Sequence, residues 1–283
     1  MTVLRLDDIR RQLGDSLFER VAGPEGPRRR DRIQRPGPRW FAEDSPIQRV
    51  HGDASMFVGG LRALLLQSLH PLAMAGVAEH SGYKSDPWGR LQRTSHFLAV
   101  TTFGTASDAE AMVRSVRRVH ARVHGVAPDG RPYDASDPHL LGWVHVAEVD
   151  SFLAAYQRFG YEPLDQAERD AYVADVAKVA RKLGVVDPPL TEREVRERLS
   201  DYRPELRSTP EARAAARFIL LSPPLPMLAR APYGVLGAAA VSLLPGWARW
   251  PLRLPYLPVT EAVAVRAAGE VLTRTIRWAM APE

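Results

Sequence analysis

The segment SMFVGGLRALLLQSLHPLAMAGVAEH (55–80) decides the fold class, because its apolar residues recur at helical spacing. Residues 55–69 predict one helix. Pro71 suits the first turn of a second, shorter helix that continues to His80, since an N–H at that position has no helical partner anyway. Two consecutive apolar helices favour a chain whose core is built from helices.

The helical pattern continues along the rest of the chain. No alternation of apolar and polar residues lasts long enough to indicate a sheet, and no internal repeat is present. We therefore predict an all-α fold, a single domain of roughly nine to eleven helices over residues 39–283, preceded by a partly irregular N-terminal arm over residues 1–38. Thr191 and Glu194 predict a capping box. Further helices are predicted over 90–102, 108–124, 138–159, 164–183 and 191–202, and from residues 209 and 260 onward.

The composition limits the possible chemistry. The chain has 283 residues, 45% of them hydrophobic and 25% charged, as in a globular protein with a substantial core. The absence of cysteine excludes disulfides, iron–sulfur clusters and thiolate ligands to a metal. The net charge is +5, but the basic cluster at residues 28–32 has no interleaved aromatic residues, so we expect no nucleic-acid partner.

Two segments bear on where in the cell the protein is expected to lie. The stretch MTVLRLDDIRRQLG (1–14) has no apolar central region, so no secretory signal and a cytoplasmic location are expected. The most apolar stretch, YGVLGAAAVSLL (233–244), is shorter than the roughly 20 residues of a membrane-spanning helix, and Pro245 ends it. A buried helix is the first interpretation. The arginines and tryptophans that flank it leave open a peripheral contact with a membrane or with a lipophilic substrate.

The stretch RRVHARVHG (117–125) contains two histidines four residues apart. His120 shares an apolar stripe with Val113 and Val116, so its imidazole is predicted to point inward. His124 follows one turn later, near the predicted end of the helix. Three interpretations stay open from the residues alone: two structural histidines, a metal-binding pair on one helix face, or His120 as the lone axial ligand of a haem. The pair lacks the glutamate of the HExxH zinc motif.

Five segments, in order, resemble the catalytic-domain family shared by latex clearing protein, a rubber oxygenase, and the MpaB-type oxygenases. The resemblance covers roughly residues 40–255. The matching segments are LRALLLQSLHPLAMAGVAEHS (61–81), DPWGRLQRT (86–94), FG (103–104), HARVHG (120–125) and YDASDPHLLGWVHVAEVDS (133–151).

This resemblance implies an all-α fold with a globin-like core and a haem b cofactor whose iron is held by His120. Arg90 and Thr94 match the family's Arg-x-x-x-Thr signature and would orient the haem or polarise bound oxygen. Arg93 stands where latex clearing protein has a lysine on the distal side of the iron, so Arg90, Arg93 and Thr94 are the candidate catalytic residues. No acid clearly matches the family's proposed catalytic base, and Glu79 is the nearest carboxylate.

The function implied by the resemblance is that of a haem b-dependent oxygenase or peroxygenase. It would use O₂ or peroxide on a lipophilic small molecule or an isoprenoid-like substrate. Two alternatives are kept: a non-haem metal enzyme that uses His120, His124 and an acid, and a non-catalytic haem-binding protein associated with a membrane. His70, His80 and His145, which lie in the matched segments, are expected to be buried and hydrogen-bonded rather than to bind iron.

Overall fold

Helices make up most of the chain in the computed structural model, which describes residues 6–281. Residues 1–5 and 282–283, which include the start of the stretch used above to judge targeting, lie outside the described part. The helices are α1 (Leu6–Ala22), α2 (Gly26–Ile33), α3 (Pro46–His51), α4 (Met56–Gln67), α5 (Pro71–His80), α6 (Pro87–Phe103), α7 (Ala106–His120), α8 (Pro138–Phe159), α9 (Gln166–Leu183), α10 (Glu192–Tyr202), α11 (Pro210–Leu221), α12 (Met227–Ser242), α13 (Gly246–Arg249), α14 (Pro258–Thr260) and α15 (Arg266–Met280).

Short irregular elements complete the chain. A 3₁₀ turn spans Arg203–Glu205, and a π-helical turn over Glu261–Val265 joins α14 to α15. The strands β1 (His124–Val126) and β2 (Pro132–Asp134) pair in an antiparallel hairpin. The all-α prediction is confirmed, although the described residues hold more helices than the nine to eleven expected because short helices interrupt the loops. The globin-like core stays a prediction.

The core is organised around α8, the helix that runs through the centre of the molecule. Its ends are where the sequence predicts them: the Asp137 side chain accepts a hydrogen bond in the first turn, and Gly160 follows the last residue. Helix α4 crosses α8 closely, because Gly59 leaves room for Phe152 and Ala155. A Cβ at Gly59 would lie 2.9 Å from the Phe152 Cδ1 atom.

A buried arginine ties this crossing to α12. Arg62 forms an ion pair of 2.7 Å with Asp150, donates a hydrogen bond of 2.7 Å to the Ser151 hydroxyl and another of 3.0 Å to the Leu243 carbonyl oxygen. A charge removed from water needs such a set of partners, because an uncompensated one is costly. The three helices are therefore linked by polar contacts as well as by apolar packing.

Two local predictions need correction. The Thr191 side chain accepts from the Glu194 N–H at 3.2 Å, but the Glu194 carboxylate accepts from Leu190 instead of Thr191, so the capping box is only half formed. The second correction concerns α7, which ends at His120 and not at His124.

The early end of α7 has a physical cause. His124 begins β1, whose register pairs it with Asp134 of β2. The hairpin satisfies backbone groups and places the buried Tyr133 ring against Gly125, where a Cβ would lie 2.6 Å from the tyrosine oxygen. A helix that continued to residue 124 would lose the hairpin hydrogen bonds and the packing of Tyr133. Both depend on contacts between distant residues, which a local sequence pattern does not reveal.

The apolar stretch 233–244 lies mostly within α12. The second half of that helix is buried, whereas its first turn is exposed, with Met227 and Leu228 among the most exposed apolar side chains. Among residues 6–281, a single helix with the length and hydropathy of a membrane span does not occur. Helices α4 and α5 meet that criterion only when taken together, and they are bent by 109° where they join.

Candidate functional site

His120 is the last residue of α7, and its side chain is partly buried. Its Nδ1 atom is buried and has no hydrogen-bond partner within the described residues. Burial lowers the pKa of His120, so the ring is neutral at pH 7 and keeps a lone pair on one nitrogen. A neutral imidazole with an unused buried nitrogen is chemically suited to bind a metal ion.

Arg90 lies in the first turns of α6 and is also partly buried. Its Nη1 donates a hydrogen bond of 2.9 Å to the Ser81 hydroxyl, and no carboxylate within residues 6–281 forms an ion pair with it. Asp86, the acid nearest in sequence, pairs with Arg93 at 3.1 Å instead. Burial and the charge of Arg93 lower the pKa of Arg90, which nevertheless remains charged. Its guanidinium therefore suits an anionic group from outside the protein.

Thr94 and Arg93, the other two candidate catalytic residues, are exposed. The Thr94 hydroxyl donates a hydrogen bond of 3.1 Å to the Arg90 carbonyl oxygen, one turn back on the same helix. The Arg93 guanidinium is engaged by Asp86. Both side chains lie beside Arg90 on α6, and the roles that the family resemblance implies for them remain predictions.

The end of α5 connects the Arg90 region with the segment after α7. Ser81, just past α5, binds Arg90. The preceding residue, His80, lies with its Nε2 atom 3.0 Å from the hydroxyl of Tyr133 on β2. Tyr133 packs against β1, which begins four residues after His120. These contacts link α5, α6 and the hairpin that follows α7.

Glu79 accepts a short hydrogen bond from the hydroxyl of Tyr133. Burial first, and then the hydrogen bond and charge of Glu79, raise the pKa of Tyr133 to about 12, so the phenol stays protonated and acts as the donor. Glu79 also lies 3.9 Å from the His80 ring. The structure therefore holds Glu79 in a hydrogen-bond network with Tyr133, a contact across 54 residues that sequence patterns did not indicate.

His124 is separated from His120 by the end of the helix. It is exposed on β1, opposite Asp134. The expectation that the two histidines share one helix face is wrong, because α7 ends at His120 and His124 begins β1. The alternative of a metal-binding pair therefore loses the geometry on which it was based.

The other histidines of the matched segments differ among themselves. His70 is buried and hydrogen-bonded, as expected. His80 is hydrogen-bonded, but its side chain is 31% exposed rather than buried. His145 is buried on α8, where burial and the charge of Arg181 lower its pKa to about 4, but its Nε2 atom has no partner within residues 6–281. His145 is thus a second buried imidazole with an unused nitrogen.

A separate cluster of possible metal ligands consists of His70, His139 and Glu205. The Nε2 atom of His139 lies 2.9 Å from both carboxylate oxygens of Glu205, and that of His70 lies 3.4 Å from one of them. The sequence patterns gave no reason to group these residues, which are 66 and 135 positions apart.

The comparisons with known proteins match this architecture to an oxygenase family. Two mycobacterial relatives, the uncharacterized protein Mb2261 of Mycobacterium bovis and the uncharacterized protein Rv2237 of Mycobacterium tuberculosis, are each 33% identical over 99 residues. That match covers 35% of this chain and 38% of the length of each relative. No solved structure matches the chain significantly.

The family match extends over most of the chain. Residues 48–278 match the model described as "ER-bound oxygenase mpaB/B'/Rubber oxygenase, catalytic domain". The matched range includes helices α4 to α14, most of α15, and the whole candidate site around His120 and Arg90. The chain belongs to the family of MpaB-type and rubber oxygenases defined by this catalytic domain.

Proposed function

We propose that the chain is a haem b-dependent oxygenase that acts on a lipophilic small molecule, with His120 as the axial ligand of the iron. Membership of an oxygenase family supports the reaction class. The observation that carries the proposal for the cofactor is the buried Nδ1 atom of His120, which has no hydrogen-bond partner within residues 6–281.

The residues present suit a haem. An unsatisfied buried polar group costs about 1–3 kcal/mol, and a bond between the imidazole and iron would remove that cost. Arg90 offers a partly buried guanidinium without a carboxylate partner in the described residues, which suits a haem propionate. Together these two groups provide one donor for the metal and one cation for the acidic edge of the cofactor.

The chain's own residues would position the reaction. Bound haem supplies the redox chemistry that activates O₂ or peroxide. His120 would hold the iron as a neutral ligand, and Arg90 would bind an acidic group of the cofactor. Thr94 and Arg93 are exposed donors on α6, and we propose that they would make polar contacts with the bound cofactor or with the oxidant. Glu79 is kept in place by Tyr133, and we assign it no proton-transfer role.

The proposal that the substrate is lipophilic rests on the segment 212–260. This segment contains five arginines and neither aspartate nor glutamate. It also exposes large apolar side chains, among them Leu228, which is 94% exposed. Arg249 is buried and paired with Glu261, whereas the other four arginines form no ion pair within residues 6–281. Exposed apolar groups beside such positive charge are typical of a surface that contacts anionic lipid. We propose that peripheral contact with a membrane gives the protein access to its substrate.

Product analysis tests the proposed activity. The haem-loaded protein is incubated with lipid extracts under ¹⁸O₂, or with H₂¹⁸O₂ in a parallel sample, and products are analysed by mass spectrometry. We expect ¹⁸O incorporation into a lipophilic product in one of the two samples, its loss in His120→Ala and its retention in the matched control His124→Ala.

A haem-loaded protein that forms no product with either oxidant would contradict the proposed activity. That result would favour a non-catalytic haem-binding protein. If His124→Ala abolished product formation as completely as His120→Ala did, the assignment of His120 as the one axial ligand would be wrong.

A further inference from the structure

We propose that His70, His139 and Glu205 bind one divalent transition-metal ion, such as Zn²⁺, at a site separate from the candidate haem site. Each residue offers one ligand atom, and these three atoms lie within 4.8 Å of one another. Two imidazole nitrogens and one carboxylate oxygen form a donor set typical of a zinc ion that keeps a water molecule as its fourth ligand.

The three ligands come from separate elements that are already fixed to one another. His70 is the N-cap residue of α5, His139 is the second residue of α8, and Glu205 ends the 3₁₀ turn after α10. The Arg207 N–H donates a hydrogen bond of 2.8 Å to the Leu69 carbonyl oxygen, which ties the 3₁₀ segment to the residue before His70.

Contacts with Tyr202 fix the position of His139. The Tyr202 hydroxyl donates a hydrogen bond of 2.8 Å to the His139 carbonyl oxygen, and the Tyr202 ring lies 4.8 Å from the His139 ring. The ligand atoms are therefore held together by the fold itself. Binding of an ion needs only small side-chain movements, so little ordering opposes it.

The cluster offers two imidazole nitrogens and one carboxylate oxygen within 4.8 Å of one another. This mixed donor set suits Zn²⁺ better than Ca²⁺ or Mg²⁺, which prefer oxygen ligands.

The site is open on one side. His70 is 1% exposed and forms its floor, whereas the side chains of His139 and Glu205 are 54% and 38% exposed. An ion can reach the ligand atoms from solvent, and a water molecule can complete its coordination. This arrangement differs from a closed hydrogen-bond network in the core, where an ion would have no route of entry.

Metal binding has one identifiable cost. The Nδ1 atom of His70 accepts a long hydrogen bond of 3.5 Å from the Ala73 N–H, which places the ring proton on Nε2, facing Glu205. The ion would replace this proton, and the proton would move to Nδ1 at the expense of the contact with Ala73. A contact of 3.5 Å is at the limit of a hydrogen bond, so its loss is a small penalty.

Calorimetric titration of the chelator-treated full-length protein with ZnCl₂ tests the site. We expect one saturable site whose affinity falls at least about tenfold in His139→Ala and in Glu205→Gln, because each variant loses one of three ligands. His124→Ala is the matched control, since it removes an exposed histidine outside the cluster and should leave the affinity unchanged. Zinc at 100 times Kd should raise the Tm of the wild type by about 5 °C and that of the variants by much less.

The alternative is a hydrogen-bonded triad that binds no ion. The proposal is overturned if the wild type shows no saturable zinc binding, or if both variants bind zinc as tightly as the wild type. Far-UV circular dichroism of Glu205→Gln, a substitution of nearly the same shape, shows whether the variant is folded. Neither result depends on haem binding at His120, so this proposal and the proposed oxygenase activity can fail independently.

Discussion

At the scale of single residues, Glu148 is the acid whose pKa the fold raises most clearly. It lies on α8, and burial raises its pKa to about 7. The neighbouring Tyr172 on α9 has its own pKa raised by burial and by the charge of Glu148. The folded protein binds this proton more tightly than the unfolded chain does, so the effect of Glu148 on stability is most favourable at low pH. That favourable effect is lost as the pH rises from 4.5 through 7, because the buried carboxylate must then ionise.

Glu148→Gln is therefore expected to stabilise the protein at pH 8. The variant removes the cost of burying a carboxylate, so its free energy of unfolding should exceed that of the wild type by about 2–3 kcal/mol at pH 8 and differ little near pH 4.5. Urea denaturation at both pH values measures this difference. The exposed Glu197→Gln is the control and should change stability by less than about 0.5 kcal/mol. A Glu148→Gln variant no more stable than the wild type at pH 8 would contradict the assigned environment.

Single residues also show how much of the candidate site was predictable. The spacing of His120 with Val113 and Val116 indicated an inward imidazole, and its Nδ1 atom is buried in the structure. The partners of Arg90 were not predictable, because Asp86 is close in sequence yet pairs with Arg93. Which of two neighbouring arginines reaches an acid depends on side-chain direction and burial, which residue spacing alone does not determine.

At the scale of elements, helix ends were predictable where the stop signal is local. Helix α8 has the predicted bounds 138–159 because Asp137 and Gly160 act within one turn of its ends. The end of α7 was mispredicted because β1 forms through pairing with β2 and through the buried Tyr133. The residues that end α7 in this way lie in β2, later in the chain, so the sequence near residue 120 does not reveal them.

The crossing of α4 and α8 can be tested with two adjacent glycines. Gly59→Ala should destabilise the protein by about 1–2 kcal/mol, because its Cβ would press on Phe152. Gly60→Ala is the matched control: a Cβ there has no atom within 4 Å, so the better helix propensity of alanine should stabilise the protein by about 0.5–1 kcal/mol. Thermal or urea unfolding of both variants measures the difference. Equal effects of the two substitutions would mean that α4 and α8 are not in close contact at Gly59.

At the scale of the whole molecule, the predominantly helical architecture followed from hydrophobic periodicity along the chain. The candidate sites did not, because they join distant segments. His80 meets Tyr133 across 53 residues, and His70 meets Glu205 across 135. Periodicity records which face of one helix is buried but carries no information about which other element covers it. The family resemblance supplied the role of His120, which physical reasoning from the residues had left among three alternatives.

The distribution of charge and apolar surface predicts lipid binding by the whole protein. We expect sedimentation with vesicles that contain phosphatidylglycerol and weaker binding to pure phosphatidylcholine, because the segment 212–260 is basic. Leu228→Ser should reduce binding severalfold. Val126→Ser, which changes an exposed apolar residue on β1, is the control and should have no effect. Equal binding to both kinds of vesicle, or equal loss in the two variants, would contradict a lipid-binding role for this segment.

Haem titration followed by the Soret absorption tests the central claim most directly. The wild type and the His124→Ala control should form a one-to-one haem complex with the same Soret band, whereas His120→Ala should lose the band or shift it to that of unligated haem. His145→Ala belongs in the same series, because His145 also has a buried ring nitrogen without a partner in the described residues. It should keep the wild-type band. An unchanged band in His120→Ala, or a band lost only in His145→Ala, would contradict the assignment of His120 as the axial ligand.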